Sequence, residues 1–245
     1  MVLAGQYLER SVVVGDLDAL YHRGRRDPPC AIAAPHPALG GSMLSPVVAE
    51  LAWALTRAGH PTMRFDYRGV GSSRGSSRHP AGAMRIAGLE NEVEDLLTIC
   101  DHLIATAGMT PACAVGYSFG AAVALEAARD PRVGRLALIA PPTAMYDFGA
   151  LAGLGKPALV VCAHLDAFCD RSKLQLPGGG ALEVIPHADH FFGRGLTELG
   201  KTVAAWLCGD RPETIAPEDH PGGKPVELEL DPGEGPPLEL DEDPG

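Results

Sequence analysis

The sequence lacks most of the features that would indicate a membrane protein or a nucleic-acid-binding protein. No apolar stretch approaches the length of a membrane span, and the amino terminus lacks the cationic and apolar pattern of a secretion signal. Its arginines are dispersed, so no basic patch predicts nucleic-acid binding. We therefore expect a cytoplasmic protein that has neither a membrane nor a nucleic acid as its partner.

The six cysteines include no C-x-x-C pair and lie mostly within apolar runs, which is typical of reduced, buried thiols. The nearest approach to a metal-ligand cluster is the set Cys162, His164, Cys169 and His187, whose spacing matches no known ligand pattern. The sequence therefore predicts no metal and no other cofactor.

The charge of the chain is concentrated at its carboxyl end. Of the formal net charge of −11, residues 210–245 carry −10, which leaves the preceding residues at about −1. A length of 245 residues with 46% hydrophobic content is sufficient for one large core. We predict a folded domain at residues 1–209 and a disordered, solvated, acidic tail at residues 210–245. The alternative is that alternating leucine and acidic residues in the tail bind a protein partner by adding a strand to its sheet.

Strand-like and helix-like segments alternate along most of the chain. Short apolar runs predict eight strands, at Ser11–Val14, Leu17–His22, Cys30–Ala34, Thr62–Asp66, Ala112–Val115, Arg135–Ala140, Ala158–Cys162 and Ala181–Ile185. Helical patterns predict four helices, at Leu44–Ala58, Leu89–Ala107, Phe119–Arg129 and Leu196–Leu207. This order predicts an α/β fold with a mostly parallel eight-stranded sheet, helices on both faces and an antiparallel opening hairpin.

The most informative motif is Gly116-Tyr117-Ser118-Phe119-Gly120, which joins a predicted buried strand to a predicted helix. A serine on such a sharp turn projects its hydroxyl above the sheet, and the glycines on either side let the backbones approach closely. The motif therefore predicts that Ser118 is a nucleophile. The alternative is an ordinary serine in a strand–helix turn.

A nucleophilic serine needs a base that accepts its proton and an acid that orients the base. In sites built on this kind of turn, the acid and then the base follow the serine along the chain, each after a later strand. Asp166 follows the seventh predicted strand and His190 follows the eighth. We therefore predict Asp166 as the acid and His190 as the base, with Asp170 and His187 as the rival candidates.

With these residues, the chain from about Tyr7 to Leu207 resembles the α/β-hydrolase superfamily. Beyond the triad, the resemblance is carried by three loop segments, at Pro35–Gly41, Phe65–Ser73 and Ala188–Phe192. The His-Pro-x-x-Gly-Gly loop is similar to that of small bacterial hydrolases of the dienelactone-hydrolase-like or serine-peptidase-like subgroup. The resemblance implies an α/β-hydrolase fold, a small-molecule substrate and catalysis without a cofactor.

The resemblance also implies which backbone N–H groups form the oxyanion hole. By position they are the N–H of Phe119, directly after the nucleophile, and the N–H of Ala38, with Leu39 as the alternative. Pro37 stands where relatives carry glycine, and proline has no N–H to donate.

The segment 141–156 is too short for the lid that many relatives insert, so the resemblance implies a minimal or absent cap and an open cleft. Tyr146 and Phe148 in this segment are candidates for apolar walls of the cleft or, equally, for core packing. Pro177–Gly180 leaves little room for a helix between acid and base, which predicts a flexible loop and a loosely held Asp166.

The sequence as a whole favours a serine hydrolase in which Ser118 attacks an ester-like or thioester-like carbonyl. An acyltransferase would use the same covalent intermediate, with another acceptor in place of water. A non-catalytic scaffold that recruits a partner through its acidic tail is the third interpretation.

Overall fold

The computed structural model describes residues 8–76 and 88–209. The strands are β1 (Arg10–Val14), β2 (Leu17–His22), β3 (Cys30–Ala33), β4 (Thr62–Phe65), β5 (Ala112–Tyr117), β6 (Val133–Ile139), β7 (Ala158–Ala163) and β8 (Ala181–Ile185). The α-helices are α1 (Pro46–Arg57), α2 (Glu90–Ala107), α3 (Phe119–Ala127) and α4 (Leu196–Cys208). Short 3₁₀ helices lie at Pro37–Leu39, Gly149–Gly153 and Arg171–Lys173. Each predicted strand and helix is present, within two residues of its expected bounds.

All eight strands form one sheet in the order β1-β2-β4-β3-β5-β6-β7-β8. Strand β2 pairs antiparallel with both β1 and β4, and the remaining pairs are parallel. The predicted α/β-hydrolase fold with its mostly parallel sheet and antiparallel opening hairpin is thus confirmed.

The centre of the sheet is buried on both faces, as its uninterrupted apolar strands predict. All six residues of β5 and all six of β7 are buried. Helix α1 packs against α4, and α2 packs against α3, so that the helices cover both faces of the sheet. Helix α3 is apolar nearly all round and has only Glu126 outside the buried set, as expected of a helix enclosed by the sheet and a neighbouring helix.

The strand order reverses direction between β3 and β5, which are neighbours in the sheet. The chain leaves β3 toward β4 on one side, and later leaves β5 toward β6 on the other. The loops after β3 and β5 therefore separate at the carboxyl ends of these strands and leave a crevice between them, the usual ligand position in such sheets.

Close backbone contact at the start of α3 depends on the two glycines of the Gly116–Gly120 motif. A Cβ on Gly116 would overlap the carbonyl oxygen of Gly120, and a Cβ on Gly120 would lie 2.5 Å from the carbonyl oxygen of Ala33 in β3. Both positions therefore require glycine. The contact presses the first turn of α3 against the ends of β5 and β3.

The segment between β6 and β7 contains only the 3₁₀ helix Gly149–Gly153, in keeping with the minimal cap that was predicted. Within the part of the chain that the structure describes, no helix is long and apolar enough to cross a membrane. The predicted acidic tail at residues 210–245 lies outside the described residues, so the division of the chain at residue 209 stays a prediction.

We expect Gly116→Ala to lower the free energy of unfolding by about 1–3 kcal/mol or more, because the new methyl group must displace the α3 backbone. Urea denaturation measures this change. The matched control is Gly178→Ala, where a Cβ would meet no atom within 4 Å, and we expect a change of less than about 1 kcal/mol. Equal losses in the two variants would show that the close contact is not required.

Candidate active site

Ser118 occupies the turn between β5 and α3 in a strained backbone conformation. Its φ of 54° and ψ of −117° lie in a region that residues with side chains rarely adopt, which costs of order 1–3 kcal/mol. Its backbone N–H donates to the carbonyl of Ile139 at the end of β6, at 2.9 Å. The neighbouring strand therefore holds the turn in place, and the hydroxyl of Ser118 lies at the carboxyl edge of the sheet.

The structure brings the three predicted triad residues into one chain of hydrogen bonds. Ser118 Oγ lies 2.9 Å from His190 Nε2, and His190 Nδ1 lies 2.8 Å from Asp166 Oδ2. An ionised carboxylate only accepts hydrogen bonds. Nδ1 of a neutral imidazole therefore carries the ring proton and donates a hydrogen bond to Asp166. Nε2 is then the ring nitrogen that accepts from the serine hydroxyl, as a general base must.

Asp166 is held firmly, contrary to the loose attachment expected from its short flanking segment. Its side chain is fully buried. While Oδ2 faces His190, Oδ1 accepts a hydrogen bond of 2.8 Å from the backbone N–H of Phe168. The expectation was wrong because the backbone N–H of Phe168, two residues after Asp166, supplies the support that a longer helical connection would otherwise give.

Backbone hydrogen bonds join the loop that carries the acid to the loop that carries the base. The N–H of His164 donates to Ile185 O at 3.0 Å, and the N–H of Leu165 donates to Ala188 O at 2.8 Å. The hydroxyl of Tyr117 donates to His190 O at 3.1 Å. Burial raises the pKa of Tyr117, which keeps this hydroxyl protonated and able to donate. The imidazole is therefore positioned from its backbone as well as from its ring.

The rival acid and base have other positions. Asp170 caps the 3₁₀ helix Arg171–Lys173, where its carboxylate accepts from both the N–H and the hydroxyl of Ser172. These hydrogen bonds lower the pKa of Asp170. His187 is exposed in the turn after β8, with a φ of 58°. Neither residue takes part in the hydrogen-bond chain of Ser118.

The two predicted oxyanion donors differ in their present hydrogen bonds. Phe119 is the first residue of α3, where a backbone N–H has no carbonyl partner within the helix and points beyond its start. The N–H of Ala38 donates to Nδ1 of His36, two residues earlier, at 3.2 Å. The N–H of Leu39 donates to the carbonyl oxygen of His36 at 3.1 Å. Ala38 would have to exchange its present acceptor for a substrate oxygen, and its assignment stays a prediction.

Contacts from the turn after β4 fix the loop that follows β3. Asp66 Oδ1 accepts from the N–H of Met43 at 2.7 Å, and the hydroxyl of Tyr67 donates to Ala34 O at 3.3 Å. Tyr67 also packs edge-on against Phe119, with ring centroids 5.8 Å apart. The Phe65–Ser73 segment singled out in the sequence thus supports the loop that contains Ala38.

A cleft of about 290 Å³ opens over Ser118 and His190. Apolar side chains line most of it, and among the described residues no Asp, Glu, Lys or Arg does so: the apolar lining includes Leu39, Pro46, Met145, Tyr146, Phe168 and Phe191. Within residues 8–76 and 88–209, no group of three or more His, Cys, Asp or Glu side chains is arranged to hold a metal ion. The cleft can therefore hold a small neutral group against the serine.

Of the two aromatic residues proposed as walls, only Tyr146 lines the cleft. Phe148 is 2% exposed and belongs to the core, because it lies at the start of the 3₁₀ helix Gly149–Gly153 and turns inward. Phe168 and Phe191, which were not predicted from the sequence, also line the cleft. Their rings pack edge-on against His190, with centroids at 4.9 Å and 5.5 Å. Their proximity in sequence to Asp166 and His190 was the signal that could have identified them.

The chain belongs to the serine aminopeptidase S33 family, whose model matches residues 37–175. The matched segment contains Ser118 and Asp166 and ends before His190. An uncharacterised protein of Rickettsia prowazekii is 27% identical over 196 residues, which cover 74% of this chain and 78% of the relative.

Solved structures of α/β serine hydrolases are similar to the chain over most of its length. A serine hydrolase homologue from Coxiella burnetii is 27% identical with a TM-score of 0.66, covering 84% of this chain and 99% of that one. A serine hydrolase without a lid from Xanthomonas campestris is 25% identical with a TM-score of 0.66, covering 85% and 96% of the two chains. A dienelactone hydrolase from Anabaena variabilis shares the fold at 20% identity, with a TM-score of 0.62 and coverage of 84% and 99%. The chain is thus an α/β hydrolase of the serine hydrolase type.

We expect a fluorophosphonate probe to label Ser118 stoichiometrically, because His190 Nε2 lies within hydrogen-bond distance of its oxygen. Intact-mass spectrometry detects the adduct. Ser118→Ala should abolish labelling, and His190→Ala should slow it by about 10³-fold or more. The matched control is Ser172→Ala, which removes an exposed serine whose hydroxyl donates a hydrogen bond to Asp170. We expect this variant to leave the labelling of Ser118 unchanged. Undiminished labelling of Ser118→Ala would show that another residue is the reactive nucleophile.

Proposed function

We propose that the protein hydrolyses esters or thioesters of small neutral acyl groups through a covalent acyl-enzyme on Ser118. The observation that carries the proposal is the unbroken chain from Ser118 Oγ through the His190 ring to Asp166 Oδ2, with links of 2.9 Å and 2.8 Å. Such a chain converts an unreactive hydroxyl into a nucleophile at neutral pH.

In the first half of the proposed reaction, the Ser118 oxygen attacks the acyl carbonyl carbon while its proton moves to His190 Nε2. Asp166 stabilises the imidazolium that forms, since its carboxylate already bonds to Nδ1–H. The tetrahedral intermediate then collapses. The bond to the leaving oxygen or sulfur breaks, and the leaving group takes the proton from His190.

In the second half, a water molecule enters beside His190 and attacks the acyl carbon. Its proton passes to Nε2 and then to Ser118 Oγ as the acyl–oxygen bond breaks, which releases the acid and restores the enzyme. We assign the N–H of Phe119, at the start of α3, as a donor to the developing oxyanion, and a donor of this type contributes about 2.7–4 kcal/mol to transition-state stabilisation. Ala38 is the proposed second donor, after its N–H has left His36 Nδ1.

The lining of the cleft supports a neutral acyl group. A carboxylate or ammonium group in the substrate would lose water on entering and would find no oppositely charged side chain among the described cleft residues. The volume of about 290 Å³ is at the lower end for small-molecule sites, which fits a short or medium acyl chain.

Among the described residues, the lack of an acidic side chain in the cleft lining also separates the proposal from the peptidase activity that the family's name describes. An aminopeptidase acts on a substrate with a free amino group, which is cationic at neutral pH and needs an acidic partner. Asp166 is the one carboxylate of the triad, and its side chain is fully buried behind His190. This supports an ester or thioester substrate in preference to the amino terminus of a peptide.

The acidic tail lies outside the described residues, and so a protein partner that binds it remains a prediction. The cytoplasmic location inferred from the sequence likewise remains a prediction. Neither is needed for the proposed chemistry.

We expect Asp166→Asn to lower kcat for 4-nitrophenyl butyrate by about 10³- to 10⁴-fold, because an amide at this position no longer favours the productive tautomer of His190. Release of 4-nitrophenolate measures the rate. Asp170→Asn is the matched control, since Asp170 is a nearby exposed carboxylate that caps a 3₁₀ helix. We expect it to retain activity within about threefold. Similar losses in both variants would contradict the role proposed for Asp166.

A series of esters with the same leaving group tests the proposed substrate class. We expect 4-nitrophenyl butyrate to have a kcat/KM about 10- to 100-fold above those of the hemisuccinate and 4-aminobutyrate esters, because each charged group enters the cleft unpaired. Spontaneous hydrolysis of each ester is subtracted. A preference for the 4-aminobutyrate ester would favour a substrate with a free amine instead.

A further inference from the structure

Two cysteines lie in contact on either side of the loop that carries Asp166. Cys162 is the penultimate residue of β7, and Cys169 follows six residues after that strand ends. Their sulfur atoms are 3.1 Å apart. A disulfide has an S–S bond of about 2 Å, so the two side chains need to approach by only about 1 Å to form one.

The pair differs from the other buried cysteines in its access to solvent. Cys162 is fully buried, whereas Cys169 is 9% exposed and forms the accessible end of the pair. Cys30 and Cys113 also face each other, across β3 and β5, but both are fully buried at the centre of the sheet. These two pairs provide a comparison within one molecule between a reachable and an unreachable pair of thiols.

We propose that Cys162 and Cys169 are an oxidation site that forms a disulfide when the folded protein meets hydrogen peroxide. The Cys169 sulfur attacks one peroxide oxygen, the O–O bond breaks, and a sulfenic acid and one water form. The Cys162 sulfur then attacks the Cys169 sulfur, and the sulfenic hydroxyl leaves with the thiol proton as a second water. Two thiols lose two electrons in total, and these reduce one peroxide to two waters.

The buried position of Cys162 sets the order of these steps. Its hydrogen bond to Cys169 and its burial raise the pKa of the Cys162 thiol, so it is a poor first nucleophile. It is nevertheless in contact with its partner, and a sulfenic acid at Cys169 would be captured without movement of the main chain over any large distance. Cys169 is therefore the residue that meets the oxidant, and Cys162 is the residue that resolves it.

The disulfide would close a short loop around Asp166. The residues between the two cysteines include His164 and Leu165, whose N–H groups bind the histidine loop, and Phe168, whose N–H binds Asp166. Oxidation therefore restrains the segment that carries Asp166. The proposal concerns the thiols alone and does not depend on the proposed hydrolase function.

The test uses the full chain with Cys208→Ser, because Cys208 is the cysteine outside the buried set and would form disulfides between molecules. The folded protein is treated with hydrogen peroxide, then denatured and alkylated with iodoacetamide. Trypsin places both cysteines, and no other, in the peptide of residues 136–171, since it does not cleave before Pro157. We expect this peptide to lose two hydrogens and remain unalkylated, while Cys30, Cys100 and Cys113 are alkylated fully. Dithiothreitol should restore alkylation.

A second variant and a second measurement keep the result interpretable. With Cys169→Ser added, we expect Cys162 to be alkylated fully after the same treatment. Oxidation should also raise the thermal midpoint by a few degrees in the protein with both cysteines and not in this variant. Full alkylation of both cysteines after peroxide treatment would overturn the proposal, as would oxygen addition to Cys169 without loss of the Cys162 thiol.

Discussion

The structure depends on one close backbone contact, in which the start of α3 meets the ends of β5 and β3. Gly116 and Gly120 allow it, because a side chain at either position would collide with a main-chain carbonyl. The contact holds Ser118 in its strained conformation and sets the start of α3 beside the end of β3. Ser118 and Phe119, the predicted nucleophile and the predicted oxyanion donor, are therefore placed by the same packing constraint, and the remaining parts of the candidate site lie around it.

Asp166 and His190 reach Ser118 because β7 and β8 end at the same edge of the sheet as β5. Their loops are then joined to each other by main-chain hydrogen bonds, and the hydroxyl of Tyr117 in β5 reaches the carbonyl of His190. The site is consequently tied to three strands through backbone atoms. This explains how a fold with only a short 3₁₀ helix between β6 and β7 still holds an imidazole within 3 Å of a serine hydroxyl.

Much of the fold could be predicted because its signals are local. Uninterrupted apolar runs such as β5 and β7 mark buried parallel strands, and the glycine spacing around Ser118 marks the turn. The firm support of Asp166 could not be predicted, because it comes from the backbone N–H of Phe168, a donor that any residue could supply. The inward turn of Phe148 and the hydrogen bond between Ala38 and His36 Nδ1 were equally inaccessible, since both depend on loop conformations that no periodic pattern encodes. The contact of Cys162, near the end of β7, with Cys169, in the loop after that strand, became visible only in three dimensions.

Among residues 8–76 and 88–209, strand β8 lies at the edge of the sheet and pairs on one side only, with β7. His190 is carried by the loop that follows it, whereas Ser118 follows a central strand that pairs on both sides. Edge strands have fewer neighbours to hold them and open at lower free energy than the centre of a sheet. Partial opening of β8 moves His190 away from Ser118 while the central strands stay paired. Heating would therefore part His190 from Ser118 by local unfolding, at temperatures where most of the described sheet is still intact.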